Sequence, residues 1–326
     1  MSDLKVLTLN MNTAHGARGD FRDRISLREV RNRLDKIAEV ICESKATVVC
    51  LQEVDFNWGG TNHLNQLEYL SAATKLPNTH FQSHLKSPLP AFMRYLKLPR
   101  ADIILNRDCG TAIMTRFPIA ERDHYDFGQS YKQDPRVNYI ARLLNECKGY
   151  TFAELDIGGP HVGVYSVHVL NDIVFQILHY LGRTMRGETF ARVWQVEKLL
   201  QKVREKIAES DLPVIVAGDF NTVPRESDSL DFKHSQNGDK DNYRRDVSMY
   251  LIREAGVIST IPVLFGSGSK DQIRRFNTYP GADPDRVLDY IFTSKGLAID
   301  DYRVIREAVS DHLAVMADVS FVREPF

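Results

Sequence analysis

The sequence has little of what marks several protein classes. Only four cysteines, Cys42, Cys50, Cys109 and Cys147, occur in 326 residues, and they form no CxxC pair. That excludes a cysteine-based zinc site and a disulfide framework, and leaves reduced core thiols. No apolar run approaches the length of a membrane span. The opening "MSDLKVLTLN" lacks a basic stretch followed by a long apolar one, so a cytoplasmic location is the expectation. Neither sign of charge dominates: the formal net charge is −1. This is not the footprint of a tight, non-specific nucleic-acid binder, although a local basic patch stays open. There is no internal repeat at a fixed period and no linker, so one domain over 1–326 is expected.

What is present reads as a globular chain. The composition is 43% hydrophobic and 26% charged, ordinary values for a chain able to bury a sizeable core. Leu4 to Leu9 reads as a buried strand. Leu27, Val30, Leu34, Ile37 and Ile41 follow helical spacing. "ATVVCLQEVD" is a second buried strand, and Leu64 to Thr74 is helical. Residues 77–108, with Pro77, Pro88, Pro90 and Pro99, read as irregular. "GTAIMTRFPI" is a strand and turn, and "YIARLLNE", "YTFAELDI" and "HVGVYSVHV" are strands. Val193, Val196, Leu200, Val203 and Ile207 mark a long helix before the strand "LPVIVAGDF". Residues 225–247 are polar and read as a loop. "MYLIREAG" is a short helix stopped near Gly256, and "RVLDYIFTS", "DYRVIRE" and "LAVMADVSFV" close the chain as strands. Two runs of strands with helices outside them predict an α/β sandwich, two packed sheets between helical layers.

The buried-looking strands share an oddity at their ends. The first stops at Asn10, with Asn12 beyond it, and the second at Gln52 and Glu53. A later one stops at His168. "VAGDFNTVP" breaks from an apolar run into Asp219 and Asn221, which share one side if the chain stays extended. Asp289 lies in "RVLDYIF", and Asp311 and His312 precede the last strand. Each has an ordinary reading alone: a turn former, a cap, a core histidine, or an Asp289–Arg286 ion pair. Together they are a set of oxygen and imidazole groups. Carboxylate and amide oxygens suit a hard cation such as Mg²⁺. Histidines can stabilise charge on a phosphate oxygen, and an aspartate can accept a proton from water. That combination describes phosphoester hydrolysis.

The pieces "LTLNMN", "VVCLQEVD", "GTAIMTRFPI", "VYSVHV", "VIVAGDFNTVP", "RVLDYIF" and "VSDHLAV" run in order from residue 7 to 315. In wording and order they resemble the endonuclease/exonuclease/phosphatase superfamily. The resemblance implies a four-layer α/β sandwich with two packed, mostly antiparallel central sheets flanked by helices. It implies a monomeric hydrolase using Mg²⁺ (or Mn²⁺), with Glu53, Asn10 and Asp311 at the metal. Asp219 is then the residue that orients or deprotonates the attacking water, with Asn221 its neighbour. His168 and His312 contact the scissile phosphate, and Asp289 supports His312. Asn12, Arg142 and Asn171 are expected at the substrate. The expected partner is a phosphoester, either nucleic acid or a phosphorylated lipid or inositol, with no integral membrane segment.

Three stretches bear on the choice of substrate. "PAFMRYLKLPR" (90–100) and "NDIVFQILHYLGRTMRG" (171–187) pair apolar with basic residues and would suit a lipid headgroup. "KDQIRRFNTYPG" (270–281) offers Arg274, Arg275, Phe276 and Tyr279 and would suit stacked bases. The plainer alternative for all three is core packing and solvated edges. A catalytically idle member that binds a phosphorylated partner is the competing class.

Overall fold

The computed structural model describes residues 4–18, 25–86, 108–127, 148–170, 188–224, 247–259 and 270–322. Its strands form two six-stranded sheets. The first contains β1 (Leu4–Asn10), β2 (Val48–Asp55), β3 (Asn78–Lys86), β4 (Asp108–Thr115), β11 (Leu297–Val304) and β12 (Val315–Phe321), in the order β11-β12-β1-β2-β4-β3. The second contains β5 (Ile119–Asp126), β6 (Gly149–Asp156), β7 (His161–His168), β8 (Val214–Asp219), β9 (Ile258–Ser259) and β10 (Asp289–Ser294), in the order β5-β6-β7-β8-β10-β9. Only β1–β2 and β7–β8 run parallel, and the other described pairs are antiparallel. The fold is the four-layer α/β sandwich.

Alternation along β1 and β2 explains the layers. Leu4, Val6, Val48 and Cys50 belong to the core between the sheets. Leu7, Leu9, Val49 and Leu51 belong to a second core. That outer core lies under α1 (Leu27–Ser44), through Val30, Leu34, Ile37 and Ile41, and under α2 (Gln66–Thr74), through Leu67 and Leu70. Helix α1 starts at Ser26, whose hydroxyl accepts from the Glu29 amide N–H while the Glu29 carboxylate accepts from the Ser26 N–H. This capping box satisfies donors that the first helical turn leaves open. On the far side, α3 (Glu188–Ser210) packs Val196, Leu199, Leu200 and Val203 onto the second sheet, with α4 (Ser248–Ala255) beside it. A short α5 (Lys270–Arg274) precedes the β10 region. No described helix is long and apolar enough to cross a membrane.

The layer between the sheets grades from apolar to polar. Inward positions of β1 run Leu4, Val6, Thr8, Asn10, and those of β2 run Val48, Cys50, Gln52. Gln52 is fully buried, and its Nε2 donates to Ser166 Oγ (3.1 Å) on the other sheet and to Thr8 Oγ1 (3.2 Å). Thr111 and Thr151 meet across the same gap at 2.6 Å. A polar interior of this kind is tolerated because its groups find partners. It leads directly to the strand ends.

Cys42, expected in the core, is exposed, and two strand expectations also need correction. Residues 78–86, expected to be irregular, form β3, which pairs with β4 from Asn78↔Thr115 to Lys86↔Asp108. β5, "IAERDHYD", was not expected as a strand either. Both are edge strands. One flank of an edge strand is solvated, so its sequence need not alternate and tolerates charge. The expected strand "YIARLLNE", the polar stretch 225–246 and the apolar-basic stretches 90–100 and 171–187 lie outside the described residues.

Candidate active site

Sheet register builds the site. Gly149 pairs with His168, His168 with Asp219, and Asp219 with Asp289. Three chemically active side chains therefore sit in one row across β7, β8 and β10. The first sheet contributes Asn10 and Glu53 from the opposite side. Asn10 Nδ2 donates to Asp219 Oδ2 (3.0 Å) and lies 3.5 Å from Glu53 Oε1. The site thus spans the polar end of the inter-sheet layer.

Backbone irregularities aim these groups. Glu53 occupies the left-handed region (φ 53°) where the β2–β4 register shifts between Leu51 and Val54. A bulge of this kind re-aims a side chain at a strand end. Beyond Asn10 the chain turns through three consecutive left-handed residues, Asn12, Thr13 and Ala14. The Asn12 N–H donates to Asn10 Oδ1 (3.0 Å), fixing the carboxamide. Gln66 Nε2 holds this turn through the Thr13 carbonyl (2.9 Å). Non-glycine residues in this region carry a conformational cost that surrounding contacts must offset.

Asp219 and Asn221 do converge, but not as neighbours on an extended strand. Asn221 is left-handed (φ 48°). Its backbone N–H donates to Asp219 Oδ1 (2.9 Å), and its Nδ2 reaches Asp219 Oδ2 (3.1 Å) and the Val169 carbonyl (2.9 Å). The chain folds back on Asp219 in a side-chain-closed turn. His312 Nδ1 meets Asp289 Oδ2 at 2.8 Å, and its Nε2 lies 3.8 Å from Asp219 Oδ2. The ordinary alternative for Asp289 fails, because Arg286 pairs with Asp285 instead (2.7 Å).

The two histidines differ in charge. His168 is pushed down by burial and by the Lys148 ammonium, against the pull of Asp219 and Glu53, and is neutral. Burial also opposes charge on His312, but Asp289 and Asp219 outweigh it and hold an imidazolium. Burial works to raise the Asp219 pKa. His312, His168 and Lys148 reverse this and keep the carboxylate ionised well below its usual range. Asp289 is raised by burial first and by the Asp219 charge, with His312 opposing. His168, Asp219 and His312 thus present a neutral imidazole, an ionised carboxylate and an imidazolium.

The donor set for a metal lies toward solvent. The Glu53 side chain is 24% exposed. Asp311 is partly exposed, and its pKa is raised to about 6 by burial, with the negative charges of Glu53 and Asp219 adding. Carboxylates close enough to disfavour each other's charge, next to the Asn10 amide, fit a hard divalent cation. Asp219, Asp289 and His312 also bring possible ligand atoms within 4.8 Å. His312 already neutralises that fully buried group, so the oxygen set around Glu53 suits a cation better.

The remaining expected residues divide. Asn12 is buried behind Asn10, and Arg142 and Asn171 lie outside the described residues. Phe276, a possible stacking residue by sequence, is core: it is buried and packs edge-on to Tyr302. Tyr279 instead sits against the His312 ring (centroids 4.8 Å). The Thr278 hydroxyl accepts from the Leu288 N–H (3.1 Å). One residue against the candidate site carried little signal in the sequence. Lys148 is buried, and its Nζ contacts the His168 ring, 3.2 Å from Nδ1 and closer to Nε2. Its only signal was a cation immediately before a buried strand.

The model of the "Endonuclease/Exonuclease/phosphatase family" matches residues 7–312. Members of that family are generally metal-dependent phosphoester hydrolases. No curated protein sequence matches the chain. Among solved structures, an endonuclease/exonuclease/phosphatase from Beutenbergia cavernae DSM 12333 is similar at 19% identity and TM-score 0.62, covering 98% of this chain and 72% of that one. A humanized D. rerio TDP2 is similar at 16% identity and TM-score 0.57, covering 98% and 100%. The human Nocturnin catalytic domain with bound sulfate is similar at 17% identity and TM-score 0.57, covering 98% and 95%. At these identities the structures share the fold.

Proposed function

The chain belongs to the endonuclease/exonuclease/phosphatase family, and from that premise we propose that it is a Mg²⁺- or Mn²⁺-dependent phosphodiesterase of nuclease-like type. One observation carries the reading: His168, Asp219 and Asp289 share a register row, faced by Asn10 and Glu53 from the other sheet. A phosphate at the mouth of this row meets an imidazolium, a neutral imidazole and an ionised aspartate together.

Each side chain has a defined task. Asp219 orients the attacking water. Its depressed pKa makes it a better positioner than proton acceptor, because a strong general base has a pKa near the working pH. The water oxygen bonds to phosphorus, and the bond to the leaving oxygen breaks. The water gives up its proton to solvent as that bond forms, and the leaving oxygen takes a proton from solvent. His312, kept charged by Asp289, stabilises negative charge growing on the phosphoryl oxygens. His168 donates a neutral hydrogen bond to the same group. Asn221 holds Asp219 through two contacts. Glu53 and Asp311 would hold the divalent cation, with the Asn10 side chain beside Glu53. When bound, that cation supplies Lewis-acid polarisation of the phosphate.

The test is a matched panel of plasmid and abasic DNA, RNA, sphingomyelin and phosphatidylinositol vesicles, and soluble inositol phosphates. Cleavage of DNA or RNA that disappears in Asp219→Ala supports the nuclease-like reading. Hydrolysis confined to the lipids or inositol phosphates replaces it with a lipid or inositol-phosphate hydrolase. Phosphoester binding without turnover on any substrate replaces it with an idle binding protein.

A further inference from the structure

Lys148 stands out among the described residues as a buried cation inside the proposed catalytic row. It is 8% exposed. Its Nζ touches the His168 ring and lies 3.8 Å from Glu53 Oε1. Its position follows from the sheet. Gly149, the next residue, pairs with His168 in the β6–β7 ladder. A side chain at Gly149 would meet the Tyr125 carbonyl oxygen at 2.2 Å and the His84 ring at 2.5 Å. The lysine therefore enters from a backbone packed tightly against its neighbours, which sets where its side chain points.

A structural ion pair does not account for this placement. A buried ammonium needs a close, hydrogen-bonded counter-charge to offset desolvation. The nearest carboxylate oxygen among the described residues is at 3.8 Å, beyond hydrogen-bonding distance, and the closer partner is a neutral imidazole. Glu53 is also a residue the proposed cation would claim. What remains is a strongly hydrated type of charge, aimed beside the imidazole that faces the phosphate position.

We propose that Lys148 is a catalytic residue whose ammonium binds a non-bridging oxygen of the scissile phosphate alongside His168. This rests on the phosphoester reading above. Lys148 adds fixed positive charge on the side of the row opposite His312, so the phosphate lies between two cations, one just before β6 and one beside β10. The group transfers no proton in this role. It remains an ammonium and strengthens its contact as negative charge builds on the oxygen.

The test separates this role from packing and from the wider reading. Inorganic phosphate binding is measured by calorimetry in chelator-treated wild type, Lys148→Met and Lys148→Arg, with thermal melts of each. Hydrolysis of bis-p-nitrophenyl phosphate is measured with Mg²⁺. We expect Lys148→Met to fold, to bind phosphate at least tenfold more weakly and to lose at least a hundredfold in kcat, with Lys148→Arg recovering part of both. Unchanged phosphate affinity in a folded Lys148→Met protein would overturn the assignment while leaving the hydrolase reading in place. So would a wild type that binds no phosphate. Phosphate binding that depends on Lys148 in a wild type without turnover would keep the lysine's role and remove the hydrolase reading. If Lys148→Met fails to fold, Lys148→Gln replaces it, with unchanged affinity again the contrary result.

Discussion

At the scale of single residues, the proposed site depends on opposing charges held in a buried row. Asp219→Asn keeps the shape and removes the charge that orients the water, and a loss of about 10² in kcat or more is expected, as for a misplaced reacting group. His312→Ala removes the imidazolium, and a loss of about 10²–10³ is expected, as for a donor to a developing oxyanion. Single-turnover kinetics on the substrate identified by the panel measures both, and near-normal rates in either would remove that residue from the chemistry. His84 makes a different prediction. Burial first, then repulsion from protons on the neighbouring His168, His124 and Lys148, drive its pKa from 6.5 down to about 3. The fold holds a neutral ring, whereas the unfolded chain gains a proton as pH falls through about 6.5. The contribution is therefore intact above that pH and is lost progressively between about 6.5 and 3. The limiting slope is about 1.4 kcal/mol per pH unit for one proton. Urea unfolding between pH 7.5 and 5 should show a shallower loss in His84→Gln than in wild type, and equal slopes would contradict it. Most of the candidate groups were legible as residues, because polar side chains at the ends of apolar runs are conspicuous. Lys148 was not, since a lone lysine before a strand is ordinary until the register places it on His168.

At the scale of elements, register and close backbone approach carry the site. Gly218 precedes Asp219 with φ +155°, and a Cβ there would meet the Val167 carbonyl oxygen at 1.9 Å. Gly218→Ala must therefore spread the parallel β7–β8 pair that aligns His168 with Asp219. A destabilisation of about 1–3 kcal/mol is expected, as for overpacking and strained backbone. Urea denaturation checks the stability, and an unchanged midpoint would show that the pair has slack. Central strands such as "VIVAGD" were legible because burial on both faces demands continuous apolar residues. The edges β3 and β5 were not, because "NTHFQSHLK" and "IAERDHYD" carry no such demand. At Asn221 the sequence leaves an extended end and a turn both open, and only the structure shows its amide closing back on Asp219.

At the scale of the whole molecule, two sheets share one interior that is apolar at one end and polar at the other. Thr8, Gln52 and Ser166 carry the transition, and the site is where that polar layer opens to solvent. Neither sheet holds a complete site. Asn10 and Glu53 come from one, His168, Asp219 and Asp289 from the other, and His312 from the turn before β12. This division explains why the family order of motifs spans residues 7–312 rather than one local segment. The most direct test is phosphodiester hydrolysis after chelation and after returning Mg²⁺ or Mn²⁺, in wild type and Glu53→Gln. Activity abolished by chelator, restored by metal, and requiring far more metal in Glu53→Gln is the expected result. Equal turnover with chelator present, or an unchanged metal requirement in Glu53→Gln, would contradict the assignment of this strand-end row as a metal-dependent phosphoester site.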